Sequence, residues 1–172
     1  MIKAVTGARD VKTKTESQLL KYERRKGLQT DNNYYINDSL TWVNYLQRVI
    51  DDKLQYMEVY DKNGYMLPPY DTGHCPAPIY RYINNICNFP QEPLRDSLLS
   101  VRMAMLSPFK ATTTTSFNPS EYDYSIIIYY ARFLGIMNKN YARTYEQLLR
   151  DQKDCKIQYI KVALDPVHLG ER

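Results

Sequence analysis

The sequence predicts a mainly α protein: an irregular helical bundle of five or six helices with extended arms and room for one short β-hairpin. Three observations carry that expectation. Apolar residues recur at spacings of three and four in several stretches, which gathers them on one side of a helix. Helix entry and exit signals bracket those stretches, as Asn118-Pro119-Ser120-Glu121 does ahead of a long apolar run. Strand signals are few, and even 155–164 (CKIQYIKVAL), which alternates well enough for a strand, suits a further helix as well. A chain of 172 residues with 44% hydrophobic content can enclose one core, so a single domain is expected over 13–172, preceded by an extended basic arm at 1–12.

Taken in order, the first helix signal is Thr13-Lys14-Thr15-Glu16, a capping-box pattern, and Gly27 supplies the stop. Leu19, Leu20 and Tyr22 lie between them, with Arg24, Arg25 and Lys26 clustered where cations suit the C-terminal end of the helix dipole. A long helix is expected from Asp38, a good N-cap, to about Tyr60. Trp42, Val43, Leu46, Val49, Ile50, Leu54 and Met57 form its stripe, and Glu58 falls off it. Asp61-Lys62-Asn63-Gly64 ends that element as a turn. A Pro/Gly-rich crossing at 61–78 follows, with Tyr65 and Tyr70 available to pin it down.

Ile79, Ile83, Ile86 and Cys87 return to helical spacing. A further helix is expected over 93–107, with Leu94, Leu98, Val101 and Met105 on one face. Lys110 to Phe117 reads as an edge strand or an extended surface segment. The run 119–137 is apolar on nearly all sides at Ile126, Ile127, Ile128, Tyr129, Tyr130, Phe133, Leu134 and Ile136, which predicts a helix enclosed by protein or by a partner. A polar amphipathic helix is expected at 141–150.

No catalytic constellation stands out. The chain lacks the glycine-rich nucleotide motifs, the paired-histidine zinc motif and the nucleophile elbow. Cysteines 75 and 87 are separated by eleven residues, far from the close pairs that bind zinc, so no metal or cofactor is expected and Cys87 reads as a buried thiol on an apolar face. A Cys-His nucleophile built from His74 or His168 with Cys75 or Cys155 would make the chain a small thiol enzyme.

Charge is more informative. Residues 1–30 hold eight of the 23 basic side chains and three of the 19 acidic ones, leaving the other 142 residues almost neutral. Tyrosine is abundant, at 17 residues against four Phe and one Trp, and suits contact surfaces that need both area and a hydroxyl. The leading expectation is a non-catalytic interaction subunit of a larger assembly. Its partner-binding residues would be Lys12, Lys14, Arg24, Arg25, Lys26, Tyr65, Tyr70, Ile127, Tyr130 and Phe133. An RNA- or DNA-binding module using the basic arm and tyrosines is the alternative. Partners would thus be other protein subunits or nucleic acid. The most apolar segment, about 13 residues long, is too short to cross a bilayer, which leaves only peripheral membrane contact. An odd cysteine count without repeated spacing favours an intracellular reducing compartment, with a mitochondrion or a virion also compatible.

Overall fold

The computed structural model describes residues 11–50, 57–68, 77–88, 92–112, 117–133 and 135–167. The expectation of a mainly α bundle is overturned: the chain is α/β, built on a seven-stranded mixed sheet. In chain order the elements are α1 (Glu16–Lys26), β1 (Asn33–Ile36), α2 (Ser39–Ile50), β2 (Met57–Asp61), β3 (Tyr65–Met66), α3 (Ala77–Asn84) and β4 (Leu94–Leu98). They continue with α4 (Leu99–Ala104), β5 (Leu106–Pro108), β6 (Tyr124–Tyr130), α5 (Gly135–Asp151) and β7 (Ile157–Ala163). The strand order is β4-β3-β2-β6-β7-β1-β5. At the centre β6, β7 and β1 run parallel, while the strands outside them pair antiparallel.

The largest correction falls on the expected apolar helix 119–137. Asn118 does cap a turn, with its Oδ1 accepting from the Ser120 N–H, but that turn is a three-residue 3-10 helix at Pro119–Glu121. The apolar run then becomes β6. Three consecutive isoleucines and two tyrosines are stiff, strand-favouring side chains. A strand covered on both faces also reads as a continuous apolar run with no helical or alternating period. From Ser125 to Tyr130 every residue of β6 is buried. Ile126, Ile128 and Tyr130 join the core cluster that includes Leu19 and Leu20 of α1, Tyr82 and Ile83 of α3 and Ala142, Tyr145 and Leu149 of α5. Ile127 and Tyr129 join the opposite cluster with Tyr45 of α2 and Leu99 of α4. Helices therefore cover both faces of the sheet.

Two further expected helices divide. The one expected over 38–60 is α2 followed, after residues outside the description, by β2, whose Met57 and Val59 enter one core cluster and Tyr60 the other. Asp38 does cap α2, its carboxylate accepting from the Leu40 and Thr41 N–H groups. The helix expected over 93–107 is split into β4, α4 and β5, and Val101, expected on its buried face, is exposed. The remaining corrections are smaller. The Pro/Gly-rich crossing at 61–78 begins as the end of β2, a turn with Gly64 at φ 81° and β3, while residues 69–76 lie outside the described residues. Of the arm at 1–12, Val11 and Lys12 are described and exposed, and residues 1–10 lie outside the description. Of the strand and helix readings of 155–164, the strand holds, as β7.

Cys87 is not a free thiol. It forms a disulfide with Cys155, 68 residues away, tying the 3-10 turn after α3 to the loop before β7. In the chain-entropy account, closing a loop of that size stabilises by about 4 kcal/mol. Cys75, His74 and His168 lie outside the described residues, so the Cys-His nucleophile finds no described partner for Cys155 other than Cys87. Among the described residues no helix is long and apolar enough to cross a membrane.

Candidate functional site

The surface with the most converging chemistry is the outer side of α1 and the residues that reach it from the far half of the chain. Thr15 caps the helix, its hydroxyl accepting from the Gln18 N–H while the Gln18 side chain accepts from the Thr15 N–H. The capping box thus sits two residues later than the Thr13 to Glu16 pattern suggests. Gly27, at φ 71°, ends the helix in a left-handed turn that a side chain would strain. Leu19, Leu20 and Glu23 are the buried residues of α1. Lys21, Arg24 and Arg25 are exposed, and Lys26 is half-buried.

Two cations from different parts of the chain meet at Tyr22. The Lys26 ammonium lies 5.8 Å from the ring centroid and the Arg132 guanidinium 5.6 Å, both within cation–π range. Arg132 follows β6 directly, and its backbone N–H donates to Asp165 Oδ2 at 2.6 Å. A third cation comes from α5: a Cβ placed on Gly27 would lie 3.4 Å from Arg143 Nε, so that side chain rests against the end of α1. Lys14 approaches from the N-terminal side, where its N–H donates to the Pro166 carbonyl at 2.7 Å. The carboxyl ends of the parallel strands β6 and β7 thus carry Arg132 and Asp165 up to the basic helix, in the region where open α/β sheets commonly bind ligands.

Acidic groups beneath this face are weakened as counter-charges. Burial pushes the Asp165 carboxyl up to about 6, against the Arg132 N–H and the charges of Arg132 and Lys14. Burial likewise pushes Glu23 up to about 7. Near neutral pH Glu23 is only partly ionised, while Asp165 is mostly ionised and offsets part of the charge of Arg132 and Lys14.

Further polar clusters lie in the interior. On the α2/α4 face, Glu58 accepts two hydrogen bonds from Arg102, at 3.0 Å each, and one each from Tyr60 and Tyr129 at 2.8 and 2.9 Å. Tyr129 also shares a 2.9 Å contact with the Tyr45 hydroxyl, and the Arg102 guanidinium lies over the Tyr45 ring. On the α1/α5 face, Lys161 forms a wholly buried ion pair with Glu146 at 3.1 Å and donates to the Asp31 carbonyl. Among the described residues no group of three or more His, Cys, Asp or Glu side chains is placed to hold a metal ion.

Of the ten residues expected to bind a partner, Lys12, Arg24 and Arg25 are exposed, and Lys14, Lys26 and Tyr65 are half-buried. Tyr70 lies outside the described residues. Ile127, Tyr130 and Phe133 are buried in the chain's own core and offer no outer surface. Arg132, Arg143 and Tyr22 are the residues that reading missed. Their spacing carries no signal for the meeting, because it is made by the β6-α5-β7 crossover rather than by any local motif. No family model, curated protein or solved structure matches the chain.

Proposed function

We propose that the chain is a non-catalytic binding module whose α1 face, extended by Arg132 and Arg143, docks nucleic acid. The observation that supports this reading is the convergence of Arg132 and Arg143, from β6 and α5, on the helix that already carries Lys21, Arg24, Arg25 and Lys26. Clustered guanidinium and ammonium groups attract a phosphate backbone and release its counterions.

Fluorescence anisotropy with labelled single-stranded RNA and duplex DNA tests it. Affinity should fall steeply from about 50 to 200 mM salt, and the combined charge reversal Arg24→Glu, Arg25→Glu, Arg143→Glu should flatten the salt slope. Affinity unchanged by that triple substitution would remove the proposal. A second reading, an assembly subunit with protein partners, rests on a different surface: Leu40 and Val43 of α2 and Val101 of α4 are 69, 51 and 54% exposed. Native mass spectrometry separates the two, since a particle heavier than the 20.3 kDa chain that dissociates on Leu40→Asp/Val43→Asp would favour the subunit.

A further inference from the structure

The underside of α1 carries a feature that its basic outer side does not explain. Of the three buried side chains that fix this helix to the sheet, two are leucines and the third is Glu23, which is fully buried. Its Oε2 accepts one hydrogen bond, from Asn33 Nδ2 of β1 at 2.9 Å. Its Oε1 has no hydrogen-bond partner. The Tyr130 hydroxyl of β6 stands close enough to favour the charged form, yet it too lacks a hydrogen bond of ordinary length.

The other charged groups facing Glu23 do not compensate it. Lys161 of β7 attracts the carboxylate from a distance, but its ammonium is committed to Glu146 of α5 and to the Asp31 carbonyl. Glu146 itself repels a second negative charge. An ionised Glu23 would be a buried carboxylate with only the neutral Asn33 amide and Tyr130 hydroxyl beside it, an arrangement far less favourable than a neutral acid in the same place.

We propose that α1 is a proton-gated element: it packs on the sheet with Glu23 protonated and detaches when Glu23 gives up its proton. The gate is physically simple. A buried carboxylate pulls its helix toward water, against Leu19 and Leu20 in the core, the Tyr22 ring under Arg132, the Lys14 N–H bond to the Pro166 carbonyl and the Glu16 carboxylate that accepts from the Lys110 and Ala111 N–H groups. The basic residues of α1 ride on the same helix, so detachment also disperses the cationic face. The gate itself does not depend on what that face binds.

Hydrogen exchange of the α1 amides, corrected for the intrinsic pH dependence of exchange, tests the gate in the intact chain. In the wild type, α1 protection should fall by about 40-fold between pH 5 and pH 7, since the closed form holds its proton to about pH 7 and the open form loses it near 4.5. Amides of β6, which exchange through global opening, should stay better protected than those of α1 at every pH. In Glu23→Gln the α1 profile should be flat to within about threefold. Identical profiles in the two proteins would overturn the proposal, as would α1 and β6 amides exchanging with the same opening free energy, which would make Glu23 a determinant of the whole fold rather than of one helix. Carbon-13 NMR of glutamate carboxyls gives a reading that needs no variant to fold: a Glu23 resonance titrating in the ordinary carboxylate range overturns the proposal, and one titrating near 7 supports it.

Discussion

Glu58 and Glu23 are both buried, on opposite faces of the same sheet, and they are solved in opposite ways. Glu58 receives four hydrogen bonds, two of them from Arg102, so the charge it brings into the α2/α4 core is matched at every oxygen. Glu23 receives one hydrogen bond from a neutral amide and has an oxygen left over. Burial alone therefore does not decide what a carboxyl does inside this protein; the number and charge of its donors do. The first cluster should act as a fixed strut between α2, α4 and the sheet, and the second as a group whose protonation follows the solution.

The largest expected effect breaks the strut. Replacing Glu58 by alanine leaves the Arg102 guanidinium, which is one-fifth exposed, without its carboxylate and removes the acceptor that the Tyr60 and Tyr129 hydroxyls share. Removing one member of such a pair costs about 3–5 kcal/mol, measured as a lowered urea midpoint with an unchanged slope. Replacing both partners, as in Glu58→Leu with Arg102→Met, should cost less than Glu58→Ala, because no uncompensated charge remains. A double variant worse than the single would show that the ion pair itself, rather than its completeness, supports this face.

The next effect sharpens the contrast through pH. Glu23 has a folded-state value near 7 against 4.5 when free, so the folded chain holds a proton that the unfolded chain releases. Its contribution is fully present below about pH 4.5 and is lost as pH rises toward 7, a swing of about 3 kcal/mol. Asp165, raised from 3.8 to about 6, acts in the same direction over a lower window. Glu23→Gln should therefore change stability little at pH 4.5 and raise it relative to wild type at pH 8, by chemical denaturation at both values. Equal wild-type and variant pH profiles would place Glu23 among ordinary solvated acids.

Neither carboxyl could be told from a surface acid in the sequence, and the reasons are geometric. Glu58 reads as an off-stripe residue because Met57 fits the helical period that begins at Trp42, and only pairing with β6 turns that stretch into a strand. Its partner Arg102 is 44 residues away, and Cys155 is 68 from Cys87. What was legible was local: the α1 segment and its Gly27 stop, the Asp38 cap, the Asp61–Gly64 turn and the alternation of β7. The sheet was hidden by β6 itself. A doubly covered strand erases the alternation that announces strands, and its seven residues pass for part of a buried helix. One signal was present: three adjacent isoleucines favour a strand, and a helix and an alternating strand follow them in a β-α-β sequence.

The smallest effect is also the most direct comparison, because Tyr129 and Tyr130 are neighbours on β6 whose rings enter opposite clusters. The Tyr129 hydroxyl donates to Glu58 and meets the hydroxyl of Tyr45, so Tyr129→Phe removes a buried hydrogen bond to a charged acceptor and should cost about 1.5–3 kcal/mol. The Tyr130 hydroxyl has no hydrogen bond of ordinary length, and its proximity favours only the charged form of Glu23. Tyr130→Phe should thus stay within about 0.5 kcal/mol of wild type at pH 5, where Glu23 is protonated. At pH 8 it should become more destabilising, since the help it gave the charged form is gone. Thermal or urea unfolding of the two variants at both pH values checks this. Equal costs at pH 5 would mean that the two carboxyls are held alike, and the distinction between strut and gate would fail.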